Sequence, residues 1–353
     1  MKILLYDPVA TGHHPLYVAH IARALARHHQ VVVATPTYDP AIPAVDHLAV
    51  NTDGENDATR FKRAIVAARP DHAVHLFADS SLRGLLSRRW PVPITVLVFR
   101  PRAHYPSMYE TPLGPRERFL AYAHDALVMS WRLHPSAHAV LVLDAGAVKR
   151  WRNRPGAPVQ WLPEPPILGS PVASQARHGA IVYGRITTRK GLDYISRALT
   201  SQRSDVHLRL AGPLPRPLKP WLDAHVDAMR RSGVRVELDL RSHAPDEGLA
   251  ALGRARCAVI PYVRHYGMSR VLLEAASVGT PVVATHRGLI GHLVREHALG
   301  LAVDCADPHA FRAALLEMCE GSTDYSAALA RFVENYSPRR FESALESVFG
   351  RES

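Results

Sequence analysis

Arg185 and Lys190 stand five residues apart across a short turn framed by Gly184 and Gly191. A guanidinium offers a forked pair of N–H donors and an ammonium a compact charge, so two such groups converging on one turn suit a diphosphate. A second candidate lies in the stretch Val259–Val294, which reads as strand, loop, helix, tight turn, strand, loop, helix. Its first loop, Tyr262–Ser269, contains Gly267 and feeds a helix expected from about Ser269 to Val278, with Val271, Ala275 and Val278 on one face. Backbone N–H groups left open at such a helix start, together with the helix dipole, favour an anion. Glu274 sits just over one turn into that helix, where a carboxylate can reach sugar hydroxyls.

The N-terminal half offers fewer candidates. Gly12 follows the first apolar run and would let a ligand approach the backbone closely. His13 and His14 beside it either face a cleft or cap the next helix. Arg100, Arg102 and His104 share the loop 100–106, which suits an anionic or hydroxyl-rich partner or else is a solvated loop capped by prolines. Glu237-Leu-Asp239 imitates a metal-binding D-x-D, but it lies within a strand, where both side chains share a face, and reads as a structural pair.

The elements that must position these groups alternate strand and helix. Lys2–Tyr6 is an apolar strand, a helix starts at Pro15 with Val18, Ile21 and Leu25 on one face, and Val31–Ala34 is a second strand. Helix Asn56–Arg69, strand Ala73–Phe77, helix Ser80–Arg89, strand Ile94–Phe99, helix Pro115–Leu133, strand Ala139–Leu143 and helix Ala145–Trp151 continue the series. Four prolines between positions 158 and 166, then Gly169-Ser-Pro171, mark a stiff linker. A second series opens with strand Ala180–Gly184 and runs through helix Leu192–Leu199, strand Val206–Ala211, a helix around Trp221–Ser232 and strand Val234–Leu240. Such repetition predicts an α/β protein with two doubly wound parallel sheets. The expected boundaries are an N-terminal domain 1–165, a linker 166–179, a C-terminal domain 180–335 and a final helix in 336–353.

Composition narrows the partners. With 353 residues, two cores are expected rather than one. A net charge of +11, from 43 basic and 32 acidic residues, suits an anionic ligand or an anionic membrane surface, or reflects arginines spread evenly. No dense Lys/Arg run with interleaved aromatics occurs, which argues against nucleic acid. The three cysteines, Cys257, Cys305 and Cys319, form no C-x-x-C pair, so a reducing cytoplasm is expected and a zinc cluster is not. No signal-peptide pattern and no run of membrane-spanning length is seen; peripheral contact with the inner face of a membrane, through the helix that carries Trp131-Arg132, is an open conjecture.

Gly184-Arg185, Lys190-Gly191, Ala211-Gly212 and the stretch through Gly279-Thr-Pro-Val-Val-Ala284, taken in order, resemble the family-4 retaining glycosyltransferases of the GT-B fold. The likeness covers nearly the whole C-terminal half; in the N-terminal half it extends to the architecture and the glycine loop near Gly12. It implies two Rossmann-like domains facing across a cleft, the N-terminal one on the acceptor side and the C-terminal one holding a nucleotide-diphosphate sugar. Residue by residue it implies that Arg185 and Lys190 hold the diphosphate and that Tyr266, Gly267, Met268, Ser269 and Arg270 line the donor. Glu274 would bind the ribose hydroxyls, Arg241 and Ser242 would lie near the base, and the final helix would cross back onto the N-terminal domain. His104 stands for the family's N-domain histidine, which is expected directly after a strand where this chain has Arg100. No metal and no cofactor besides the donor substrate is implied, and the acceptor (glycan, lipid-linked or small molecule) stays open. One departure concerns the chemistry: the first carboxylate of E-x7-E falls on Tyr266, which can hydrogen-bond a hydroxyl but carries no negative charge. A catalytically silent scaffold that binds sugar or nucleotide is therefore the alternative; a nucleotide-sugar epimerase would need carboxylates not visible here.

Overall fold

The computed structural model describes residues 1–9, 14–37, 45–50, 54–167, 177–203 and 205–350. Gly12 and His13 lie outside the described residues. Two compact units emerge: Met1–Met108 with Pro112–Pro166 and Tyr336–Ser353, and Ile167–Asn335 with the short insert Tyr109–Thr111.

The first unit is built on seven parallel strands: β1 (Lys2–Tyr6), β2 (Gln30–Thr35), β3 (Asp46–Ala49), β4 (His72–His75), β5 (Ile94–Val98), β6 (Ala137–Val142) and β7 (Val159–Trp161). Their order is β3-β2-β1-β4-β5-β6-β7, so the winding reverses between β1 and β4. Its helices are α1 (His14–Leu25), α2 (Asp57–Ala68), α3 (Leu82–Leu86), α4 (Tyr105–Met108), α5 (Pro115–Arg132) and α6 (Ala145–Trp151). The second unit has α7 (Leu192–Thr200), α8 (Lys219–Arg231), α9 (Pro245–Gly253), α10 (Arg270–Ser277), α11 (Gly288–Glu296), α12 (Pro308–Glu320) and α13 (Ser326–Glu334). Its strands are β8 (Ala180–Tyr183), β9 (His207–Ala211), β10 (Arg235–Asp239), β11 (Cys257–Ile260), β12 (Val282–Thr285) and β13 (Gly300–Val303). All six are parallel, in the order β10-β9-β8-β11-β12-β13, reversing between β8 and β11. The last helix, α14 (Pro338–Phe349), returns to the first unit.

Parallel strands covered on both faces read as continuous apolar runs, and the two faces of the first sheet show why. Leu4, Tyr6, Val96, Val98, Val140 and Val142 point to one core, shared with Phe61 of α2, Val128 and Trp131 of α5 and Trp151 of α6. Ile3, Leu5, Val33, Val74, Leu97 and Leu141 point to the other, closed by Val18 and Ile21 of α1 and by Phe341, Leu345 and Phe349 of α14. In the second unit, Val182, Leu208, Leu210 and Val259 meet Ile195 of α7, Val226 of α8 and Phe311 of α12. Cys257 in β11 and Cys319 in α12 pack in that core, and all three cysteines are free.

Several boundaries differ from the sequence reading. The proline-rich segment read as the domain's end contributes β7, an edge strand pairing with β6 through Val159, Gln160 and Trp161. Prolines flank it without occupying it, which an edge strand tolerates. The helix expected over Ser80–Arg89 is a single 3-10 turn followed by the five-residue α3. On α10 the buried face is Leu272, Leu273, Ala275 and Ala276, while Val271 is turned aside.

His72 of β4 ties α14 to the sheet. Its Nε2 lies 3.0 Å from Thr95 Oγ1, and its ring meets His138 and Phe349 edge to face at 4.7 and 5.1 Å. Burial first, and the neighbouring His138 second, lower its pKa from 6.5 to about 4. Folding thus favours the neutral ring, so this contribution to stability is complete above the unfolded value of 6.5 and is lost as pH falls from there towards 4. The pKa difference corresponds to on the order of 3 kcal/mol. In urea unfolding between pH 7 and pH 4, His72→Gln is expected to flatten the loss of stability relative to the native sequence; parallel curves would refute the assignment.

Candidate active site

The site builds up from the point where the second sheet reverses its winding, the usual place for a ligand in such sheets. β8 ends at Tyr183 and Gly184 takes a positive φ of 86°, which turns the chain off the sheet. A Cβ at Gly184 would stand 3.3 Å from Lys190 Nζ and 3.8 Å from Val271 Cγ2, so glycine here keeps a gap bordered by both. The 3-10 turn Thr188–Lys190 then carries Lys190 inward, where it is only 4% exposed. Its ammonium donates to the Tyr183 carbonyl at 2.6 Å and to the Tyr262 hydroxyl at 2.7 Å. These acceptors come from the ends of β8 and β11, the two strands at the reversal. Gly184 is thus the meeting point of the two candidate motifs, bringing the Arg185–Lys190 turn beside the first turn of α10.

Around this centre the other predicted residues take different places. Arg185 is exposed and forms no salt bridge among the described residues. Tyr266, Gly267 and Met268 are half-buried in the loop before α10, and the buried Ser269 holds the cap position without a hydrogen bond from its hydroxyl to the helix. The main chain of Tyr266 is pinned: its carbonyl accepts from Leu289 N at 2.8 Å, and its Cα packs against Gly288, where a Cβ would come within 2.8 Å. Arg270 Nε lies 3.3 Å from Glu274 Oε1, an i,i+4 ion pair along the helix. Arg241 is tied to Glu247 at 2.8 Å and to Asp239 at 3.3 Å, and Ser242 beside it is exposed. Asp239 also binds Arg209 and His243, while Glu237 pairs with His207 and Arg209, so the D-x-D-like pair is structural.

Tyr183 was not singled out from the sequence. Its hydroxyl lies against Gly248 in α9, and its ring is 6.0 Å from that of His243. Burial, then the carboxylates of Glu274 and Glu247, raise its pKa to about 12, which keeps it a neutral hydrogen-bond donor. Tyr262 and the Arg189–His265 contact (3.0 Å) were likewise missed. The available signal was position, since strand-end residues beside a motif glycine face the site.

In the first unit, His14 Nδ1 sits 2.9 Å from Asp7 Oδ2 and its ring stacks on Phe77 at 3.5 Å; this favours the helix-start reading for His14 over open display. Phe77, held at φ 66°, also stacks on Phe99 at 3.9 Å. His104 is 1% exposed and its Nε2 is held by Asp144 at 2.8 Å. Asp144 in turn accepts from Gly146 N at 2.8 Å as the cap of α6. The side chain of His104 is covered, so its geometry is that of a loop anchor. Arg100 is exposed, its backbone N–H fixed by Asp79.

Two doubly wound parallel units, the second with a glycine-flanked cationic turn at its strand reversal, define a protein of the GT-B fold. Residues 177–321, within the C-terminal unit, match the family model of the glycosyl transferases group 1. Among solved structures, Anabaena HepE in complex with UDP and glucose matches with a TM-score of 0.70 at 15% identity, covering 99% of both chains. A glycosyltransferase from Rickettsia africae matches with a TM-score of 0.70 at 11% identity, again over 99% of both. WaaG, a glycosyltransferase involved in lipopolysaccharide biosynthesis, matches at 0.66 and 15%, covering 99% of this chain and 100% of its own. At these identities the likeness is one of fold. No curated protein matches the sequence.

The Lys190 cage can be tested by itself. Tyr262→Phe removes one of the two acceptors of a buried ammonium. It is expected to cost about 1–3 kcal/mol in denaturant unfolding with an unchanged m-value; an unchanged midpoint would show that the hydroxyl does not matter to the ammonium.

Proposed function

We propose that this chain transfers a sugar from a nucleotide-diphosphate sugar to an acceptor hydroxyl with retention of configuration, without a metal. The observation that carries the reading is the convergence at Gly184, where the buried ammonium of Lys190 and the start of α10 border one gap and Glu274 lies one turn further along. In this reading the diphosphate lies over Gly184 and accepts a hydrogen bond from the remaining N–H of the Lys190 ammonium, with Arg185 closing from the solvent side. Glu274 accepts from the ribose hydroxyls. As the bond between the anomeric carbon and the diphosphate oxygen breaks, negative charge grows on that oxygen, and Lys190, Arg185 and the helix start stabilise it. The acceptor oxygen bonds to the anomeric carbon on the same face, and its proton passes to the departing phosphate. Cationic side chains then do the work a metal does elsewhere, so chelation by EDTA is expected to leave the rate unchanged.

A thermal-shift screen against nucleoside diphosphates, followed by calorimetric titration, tests the donor half-site. Binding of at least one is expected to raise the melting temperature by mass action. Lys190→Met and Glu274→Gln each remove a charge-assisted contact, expected to weaken binding by roughly 10- to 100-fold. No stabilisation by any nucleoside diphosphate would end this proposal. The scaffold reading rests on Tyr266, whose phenol stands where the family places a sugar-facing carboxylate. Binding without release of nucleotide across a broad panel of nucleotide-sugars and acceptors would favour it.

A further inference from the structure

We propose that Cys257 and Cys319 form an oxidisable dithiol, which a peroxide closes into a disulfide that staples the last turn of α12 to β11. The sequence brings these thiols together through two periodicities. Alternate side chains of a strand share a face, so Cys257 points with Val259 into the core of the second unit. In α12 the buried stripe Phe311, Leu315 and Met318 continues onto Cys319, one turn beyond Leu315. The flanking main chain is tied as well. Arg256 donates from Nη1 to the Gly321 carbonyl at 3.4 Å, joining the residue before Cys257 to the cap of α12. Beside this tie the Cys257 thiol donates a hydrogen bond to the Cys319 sulfur. Both cysteines lie away from the Gly184 site, since Cys257 opens β11 and Tyr262 follows its other end.

Exposure and charge set the order of events. Cys257 is fully buried and Cys319 is partly exposed, so an oxidant meets Cys319 first. The hydrogen bond from Cys257 lowers the Cys319 pKa, with a smaller contribution from Arg256, against burial and Glu320. Donating that bond, together with burial, raises the pKa of Cys257. Cys305 serves as an internal control: it is buried, its thiol meets the Val303 carbonyl at 3.7 Å, and burial holds its pKa far above the usual thiol range. The thiolate is the form that attacks a peroxide. Cys319 Sγ bonds to one oxygen of hydrogen peroxide and the O–O bond breaks. Cys319 is left as a sulfenic acid, and the departing hydroxide takes up the proton that Cys319 had released. Cys257 Sγ then attacks Cys319 Sγ: the S–S bond forms, the S–O bond breaks, and the Cys257 proton leaves with that hydroxide as water. Both thiols are thereby oxidised, giving up one electron pair in all, and the peroxide is reduced to water.

Treating the reduced full chain with hydrogen peroxide, quenching with N-ethylmaleimide and mapping the peptides by mass spectrometry tests this directly. A linked pair of peptides carrying Cys257 and Cys319 is expected, with Cys305 alone alkylated, and dithiothreitol should restore all three thiols. Cys319 is expected to react at least about tenfold faster than Cys305, since each pKa unit changes the thiolate fraction about tenfold. Closing the loop between β11 and α12 restricts the unfolded chain, so the oxidised form should unfold at higher urea than the reduced one. Cys319→Ala should leave Cys257 reduced. Cys257→Ala should stop Cys319 at the sulfenic acid, which dimedone traps, and Cys305→Ala should oxidise as the native chain does. The native chain alone already decides the matter, whether or not a variant folds. The proposal is overturned if its three thiols survive peroxide, if Cys305 enters the disulfide, if the link forms only between chains, or if the oxidised chain unfolds no later than the reduced one.

Discussion

A buried ammonium needs acceptors, and much of the C-terminal unit is arranged to supply them to Lys190. Left unpaired, such a charge would cost several kcal/mol. The Tyr183 carbonyl is available because β8 stops there and no longer spends its carbonyls on neighbouring strands. The Tyr262 hydroxyl is available because β11, the neighbour of β8 across the reversal, ends two residues before it. Sheet order therefore fixes the ammonium, and the lack of a side chain at Gly184 leaves the space beside it open. Packing explains why the turn holds this shape: Ile186 and Leu192, on either side of Lys190, are both about fully buried in the core of the unit.

The first unit meets a related demand with carboxylate–histidine pairs. His14 binds Asp7 after β1, His75 at the end of β4 binds Asp57, and His104 binds Asp144 after β6. Asp57 is the busiest of them. Burial pushes its pKa up, but hydrogen bonds from His75, Ser81 and Tyr6 outweigh that and hold it well below the usual carboxylate range. Each pair gives buried polar atoms a partner where a strand gives way to a loop, which fixes the local geometry. Three of the chain's 21 histidines, His14, His75 and His104, thus join strand ends to helix starts.

The doubly wound pattern was legible because parallel strands buried on both faces leave unbroken apolar runs, as Lys2–Tyr6 and Ile94–Val98 do. β3 and β7 were not, since edge strands need neither the length nor the apolar content: β3 reads Asp-His-Leu-Ala and is partly exposed along its length. For the candidate site, Arg185 and Lys190 were singled out as candidates by glycines and cations spaced around a turn, and Glu274 by its position one turn into a helix, from type and spacing alone. Tyr183 and Tyr262 were not, because their roles come from sheet order rather than from neighbours in sequence. His104 is a different case: the sequence places it in a polar loop after a strand, but its burial beside Asp144 depends on contacts forty residues apart that no local pattern records.

The loop before α10 separates two kinds of information. At Tyr266 the main chain is fixed by the bond from Leu289 N to its carbonyl and by Gly288, whose φ of 67° lets the two backbones touch. Glu274 pairs with Arg270 along its own helix. Under the transferase reading, nucleotide recognition belongs to the helix start and Glu274, whereas the chemistry presented to the sugar is set by the side chain at position 266. A phenol there offers a single neutral hydroxyl in place of an anionic pair of acceptors.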